Sequence, residues 1–239
     1  MNIRPHLIIN NNDSRNVLGL LISELAPISK PLQRTMVEEI DGRDGDIITP
    51  LGFSAYDKVV KIALTYDYNI DDIISFFNSE GKVVFSNEPD KYYKFAIYQQ
   101  IDFERLIRFK TADVVFHVQP FKFSEAEAER IYPLSSGDNS LIVRNNGNIY
   151  SRPTIGIYGS GDVMLSINGN EILQIALGNT PRAITIDTEQ MNAYGEDNTL
   201  LNRLVTGNYD NIKLNIGSNE IEITGNVSYF MIRNYSRWI

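Results

Sequence analysis

Hydrophobicity of period two, broken by Gly, Asn or Asp about every ten residues, constrains this chain most, because alternation puts one row of side chains on each face of a β-strand. Val114, Phe116 and Val118 alternate with Val115, His117 and Gln119 up to Pro120. Val163, Leu165 and Ile167 alternate with Met164 and Ser166, and Asn168-Gly169 supplies the residue pair favoured in a two-residue hairpin turn. Ile221 and Ile223, then the run 227–232, read as a closing pair of strands around Gly225-Asn226. Gly159-Ser160-Gly161-Asp162 reads as another hairpin turn, between Ile157 and Val163. It lacks the third glycine and the following helical stripe of a dinucleotide fingerprint. The predicted class is all-β, in antiparallel sandwiches.

One segment has a different period. Ile70, Ile73, Ile74 and Phe77 fall at i, i+3, i+4 and i+7, which predicts a short helix over about 70–79 with one buried face. Asn69 is placed as its N-cap, Asp71 and Asp72 suit its first turn, and Gly81 is placed to stop it. The strand Lys82-Val83-Val84-Phe85-Ser86, a Pro89-Asp90 turn and the run 93–98 follow, so the helix is expected to pack on a sheet.

At 239 residues the chain is long enough for two domains. A first domain is expected over 1–124, a linker over 125–140 that begins in the acidic run around Glu125, Glu127 and Glu129, and a second domain over 141–239, richer in Asn and Gly. The net charge of −8 and a pI near 4.9 argue against gripping a nucleic-acid backbone, because phosphate neutralisation needs clustered Lys and Arg. No apolar run approaches the roughly 18 residues of a membrane span, and the opening ten residues are too short and polar for a signal peptide. Assembly in a cytoplasm without membrane insertion is the expectation. The absence of cysteine excludes disulfides, thiolate nucleophiles and Cys-based zinc sites.

The candidate sites reduce to geometry. Asp41-Gly42-Arg43-Asp44-Gly45-Asp46 offers Asp41, Arg43 and Gly45 where a calcium loop needs three oxygen ligands, so it reads as a tight turn with both glycines at positive φ. Arg43 is then available to pair with a carboxylate of this chain or of a neighbour. His6 and His117 lie in no nucleophile motif, and His117 falls on the less apolar side of its strand. Asp187 and Glu189 read as solvated loop acids. Tyr150, Tyr158, Tyr194, Tyr209, Tyr229, Tyr235 and Trp238 suit sugar stacking, or the half-buried sheets and interfaces where tyrosine is common. No catalytic, cofactor or metal-binding residue is assigned.

Taken in order, these segments resemble one family. The Ile40-to-Asp46 turn, the helix before Gly81-Lys82-Val83-Val84-Phe85-Ser86, the Glu88-Pro89-Asp90-Lys91-Tyr92-Tyr93 turn and Val114-Val115-Phe116-His117-Val118-Gln119-Pro120-Phe121 are similar to the first domain of siphophage distal tail (Dit) proteins. These are baseplate hub components of phages and prophages of Gram-positive hosts. Asn145-Asn146-Gly147-Asn148, Ser151-Arg152-Pro153-Thr154-Ile155, Ile184-Thr185-Ile186-Asp187, Gly217-Ser218-Asn219-Glu220-Ile221 and Trp238 continue the resemblance through the second half.

The resemblance implies a ring-forming N-terminal domain, closed as a homohexamer in single or back-to-back form, and a C-terminal β-sandwich of galectin-like or carbohydrate-module-like topology. It implies a non-enzymatic virion protein at the tail tip or baseplate, with tail tube, tail-associated hub and receptor-binding proteins as partners, and no cofactor. The alternative is a carbohydrate-binding tail module that touches the host wall. Against that stands a second half without histidine, whose only Trp is penultimate.

Overall fold

The computed structural model describes residues 4–78, 80–128, 131–134 and 137–239. It divides into two compact units after Lys122. The first contains strands β1 (Leu7–Ile9), β2 (Asn12–Asp13), β3 (Leu20–Glu24), β4 (Gln33–Glu39), β5 (Asp46–Phe53) and β6 (Tyr56–Leu64), and helix α1 (Ile70–Phe77). Strands β7 (Glu80–Phe85) and β8 (Tyr92–Ala96), helix α2 (Phe103–Phe109) and strand β9 (Thr111–Phe123) follow. The main sheet runs in the order β2-β1-β7-β8-β9-β6-β3, while β4 and β5 form a two-stranded sheet of their own.

Alternation builds the core of this unit. In β6 the inward residues are Lys58, Val60, Ile62 and Leu64; in β9 they are Ala112, Val114, Phe116 and Val118. The antiparallel register sets Lys58 opposite Phe116, Val60 opposite Val114 and Ile62 opposite Ala112, so one face of the pair is almost wholly apolar. Helix α1 contributes Ile73, Phe76 and Phe77 to the same core, and Phe77 meets Phe116 edge-on at 6.4 Å. Asn69 caps the helix by accepting a hydrogen bond from the Asp71 amide at 3.1 Å.

Several expectations shift here. The helix ends at Phe77, and Ser79, the last residue expected in it, lies outside the described residues. Phe76 rather than Ile74 completes its buried face. Gly81 does not stop the helix but lies inside β7 at φ 131°, where the Asn10 carboxamide oxygen accepts from the Lys82 amide at 2.9 Å. A second helix, α2, was not anticipated: Asp102 caps it, Lys110 ends it in the left-handed conformation, and Leu106 is its one buried residue. A helix with a single buried residue leaves no periodic stripe to read. Strand β9 also passes through Pro120, where the predicted strand stopped. Its ladder with β6 ends at Val118, so the missing proline N–H breaks no bond there.

The second unit holds helix α3 (Glu125–Ala128) and strands β10 (Ile131–Pro133), β11 (Ser140–Asn145), β12 (Thr154–Ile167), β13 (Asn170–Ala176) and β14 (Arg182–Asp187). Strands β15 (Asn192–Tyr194), β16 (Val205–Gly207), β17 (Gly217–Arg233) and β18 (Arg237–Trp238) complete it. Its sheet runs β10-β17-β12-β13-β16, with β11 added to β17 and with β14 on β12 carrying β15. Residues 125–140, read from sequence as linker, supply α3 and β10, and β10 pairs with the end of β17. Residues 129, 130, 135 and 136 of that span lie outside the described residues.

Two predicted hairpins in this unit are single bent strands. β12 runs for 14 residues through Gly159-Ser160-Gly161-Asp162, and β17 runs for 17 through Gly225-Asn226. They pair along most of their length, with register shifts at Tyr158/Gly159 and between Ser160 and Met164. One half of β12 pairs with β14 and the other with β13, so the strand passes from one face of the fold to another at the shift. Glycine permits the corner: Gly161 and Gly225 hold φ of 75° and 119°, and a Cβ on Gly159 would lie 2.4 Å from the Asn226 carbonyl. The true two-residue turn is Asn168-Gly169, with φ of 51° and 76° between the paired Ile167 and Asn170. The core behind these strands includes Ile155, Val163, Leu165, Ile175, Ile186, Ile223 and Phe230.

A methyl on Gly225 would sit 2.5 Å from the Asp162 carbonyl at φ 119°. Gly225→Ala is therefore expected to cost about 3 kcal/mol in urea unfolding. Gly169→Ala, with nothing within 4 Å of the added atom, is expected to cost about 1 kcal/mol. Equal small losses at the two positions would contradict the corner.

Candidate functional site

The β4–β5 hairpin departs from the rule that builds the other strands of five residues or more, each of which buries part of its length. Every residue of β4 is exposed, and β5 has no buried residue. Val37 lies directly opposite Ile48, and they are 53% and 62% exposed. Met36, Ile40 and Leu51, and Ile28 and Leu32 leading into the hairpin, are also exposed. An isolated two-stranded ribbon is marginal in water, and a run of uncovered apolar side chains marks a contact surface.

Local geometry holds the ribbon in shape. The Ser54 amide donates to the Leu32 carbonyl at 2.8 Å and closes its base. Arg34 pairs with Gly52 and Thr35 with Pro50, which leaves Leu51 as the extra residue of a bulge with Gly52 at φ 110°. A bulge sharpens the twist of an edge.

The turn singled out by the sequence is the tip of this hairpin. Gly42 and Gly45 hold φ of 81° and 76° in open space, and the Arg43 amide donates to the Ile40 carbonyl at 3.1 Å. The turn joins β4 to β5 and does not lead into α1, which follows β6. Asp41, Arg43 and Asp44 are exposed, and among the described residues their side chains have no hydrogen-bond or ion-pair partner. Glu38, Glu39 and Asp46 flank them, so the tip is acidic apart from Arg43. Among the described residues no group of three His, Asp or Glu is placed to hold a metal ion.

The root of the hairpin is tied to the core by a cation that the sequence reading missed. Lys58 is 2% exposed, and its Nζ donates to the Pro27 carbonyl at 2.8 Å. The rings of Tyr93, Phe85 and Tyr56 stand 5.1, 5.3 and 5.9 Å from that nitrogen. Burial pushes the Lys58 pKa down, Glu88 partly opposes this, and Lys122 adds to it. Glu88 accepts from Tyr93 Oη at 2.5 Å and from Lys122 Nζ at 2.7 Å. Burial, and then the bond to Glu88, push the Tyr93 phenol upward. The signal was present in the chain: Lys58 has the same parity as Val60, Ile62 and Leu64, a core position carrying a charge.

The remaining candidates are dispersed. His117 lies on the outer face of β9, its Nδ1 2.8 Å from Asp57 Oδ1 and 3.3 Å from Tyr98 Oη. His6 Nδ1 faces the Arg4 carbonyl at 3.1 Å. Asp187 and Glu189 are not merely solvated: Asp187 accepts from the Glu189 and Gln190 amides, and Glu189 pairs with Arg237 at 3.3 Å. Arg237 is buried, donates to the Tyr150 carbonyl at 2.7 Å and stacks 4.5 Å from that ring. Its guanidinium pKa is pushed down by burial and held up in part by Glu189. Tyr158 and Tyr229 face each other across β12 and β17, both exposed. An open groove of about 500 Å³ lined by Tyr158, Arg182, Asp197 and Thr199 lies beside them.

Two mostly β units, with an uncovered apolar hairpin on the first, make up the fold. No family model and no curated protein matches the sequence. Among solved structures, the fold is that of the Dit protein of phage SPP1, described as a paradigm of the hub adsorption apparatus in phages that infect Gram-positive bacteria. The TM-score is 0.66 over 98% of this chain and 99% of that one, at 15% identity. Chains of the phage P2 baseplate in its activated conformation, with Ca and with Sr, align over 97% of this chain and 98% and 97% of their own. Identities there are 10% and 11%, with TM-scores of 0.45 and 0.47.

Because the side chains of Asp41, Arg43 and Asp44 make no partner among the described residues, Arg43→Ala should leave the unfolding free energy from urea titration within about 0.5 kcal/mol of the parent. A loss above about 1 kcal/mol would reveal an intramolecular ion pair.

Proposed function

We propose that this chain is a structural subunit of a phage tail, forming a closed ring of six copies that joins the tail tube to the baseplate or tail tip. The observation that carries the reading is the β4–β5 hairpin, whose Val37 and Ile48 lie uncovered on a ribbon that pairs with no other strand among the described residues. Burying such side chains is worth about 1.5–3 kcal/mol each, so covering them on a neighbour favours association. A hairpin that docks on a different surface of the next copy makes a heterologous contact, and such contacts close into rings when the rotation closes. The full-length likeness in fold to a phage hub protein supports the same reading.

In this account function lies in shape and edge contacts rather than in an active site. The second unit serves as the docking platform for receptor-binding or tail-fibre proteins, and the protein resides in the virion after assembly in the host cytoplasm. The Asp41-to-Gly45 turn is then an interface element, with Arg43 set to meet a carboxylate on the neighbour.

Light scattering with negative-stain microscopy of the purified chain should show six-fold rings or stacked pairs of rings. Val37→Glu and Ile48→Glu should each weaken assembly by about 2 kcal/mol, roughly 30-fold in concentration. Melting of the single subunit should be unaffected, since neither side chain enters the core. A parent chain that stays monomeric at high micromolar concentration and ignores a tail-tube partner would refute the ring. The same monomer retained on host cell wall would favour the carbohydrate module instead.

A further inference from the structure

We propose that Lys58 is a positioning residue, a buried cation that fixes the direction in which the β4–β5 hairpin leaves the sheet so that a neighbouring copy meets it already set. Its consequence for assembly rests on the ring reading above; its geometry does not.

Residues 25–32 connect β3 to the hairpin and belong to no strand or helix. Three of their carbonyls are captured by side chains instead. Asn87 Nδ2 donates to the Ala26 carbonyl at 3.0 Å, Lys58 Nζ to the Pro27 carbonyl at 2.8 Å, and Tyr56 Oη to the Ser29 carbonyl at 3.4 Å. Two of these donors stand on β6 and the third just after β7, so the tether runs from the rigid sheet to the base of the arm. Lys58 is the central donor and the only one that is both charged and 2% exposed.

A charge at a core position is a poor way to gain stability. Taking an ammonium out of water is expensive, and an apolar side chain of similar length would fill the same slot without that cost. The aromatic rings around Nζ and the nearby Glu88 offset the desolvation only in part, since Glu88 is already engaged by Lys122 and Tyr93. What an apolar replacement cannot do is reach the Pro27 carbonyl with a donor. Lys58 therefore contributes orientation: it removes freedom from the hairpin root before association, which lowers the entropy lost on docking.

The cysteine-free chain allows a direct test, with a spin label on Ile28→Cys, an exposed position inside the tether. In Lys58→Met the thermal midpoint should be unchanged or higher, while the label becomes several-fold more mobile and the concentration for ring assembly rises at least tenfold. Tyr56→Phe combined with Asn87→Ala, which leaves the core cation in place, should shift both readouts the same way by a smaller amount. That pair decides the matter if Lys58→Met does not fold. Unchanged label mobility in either folded variant overturns the proposal. A lowered midpoint with no change confined to the root overturns it too, because Lys58 would then be a stability residue only. Greater mobility with an unchanged assembly threshold overturns the link to docking while leaving the ring intact. A parent chain that forms no ring refutes the ring reading separately, and the label then judges the tether alone.

Discussion

The antiparallel pairing of β6 with β9 is the constraint on which the first unit depends. Its register places Lys58, Val60 and Ile62 opposite Phe116, Val114 and Ala112, and this single face serves two purposes. At Phe116 it receives α1 through Phe77, together with Phe85 and Phe95 in edge-to-face or tilted contacts. At Lys58 it holds the chain that leads to the hairpin. A slip of one residue would turn Asp57, Val59 and Lys61 inward and release both at once. The stable core and the exposed arm therefore share one alignment.

The second unit solves a different problem with glycine. Two long strands stay paired through a change of direction, which requires backbone conformations at Gly161 and Gly225 that a side chain would strain, and a close approach at Gly159 that leaves no room for one. Elsewhere in the unit, buried polar side chains fix the loops. Asn145 donates to the carbonyls of Ile149 and Leu214, and Ser151 donates to Asn234 at 2.6 Å. Asn145 and Ser151 are tolerated inside because their polar atoms find partners.

The all-β class, α1 with its Asn69 cap, and the Asn168-Gly169 turn were legible in the sequence because each rests on local chemistry. The bent strands were not. Glycine between two apolar runs serves equally for a chain reversal and for a corner inside one strand, and only the partner strands distinguish the two. The hairpin was half legible: the sequence marked its tip at Asp41 to Gly45 but not that the flanking strands lack a core face, because burial depends on the rest of the fold. Lys58 was legible in principle. Its parity with Val60, Ile62 and Leu64 places it inside, yet a lone lysine draws the eye less than a glycine-rich turn.

The tip and the root of the hairpin thus have different characters. The tip is acidic, open and without side-chain partners among the described residues; the root is triply tethered, its central donor the buried Lys58. Between them lies the apolar ribbon that assembly would cover. The central claim is that this ribbon is an interface between copies. Amide hydrogen exchange over residues 33–53, compared between an imaged ring and the same protein diluted to single subunits, tests it most directly. Exchange at least tenfold slower in the ring, confined to the hairpin and the surface that receives it, is the predicted result. Equal exchange in ring and subunit would show that the ring closes through some other surface.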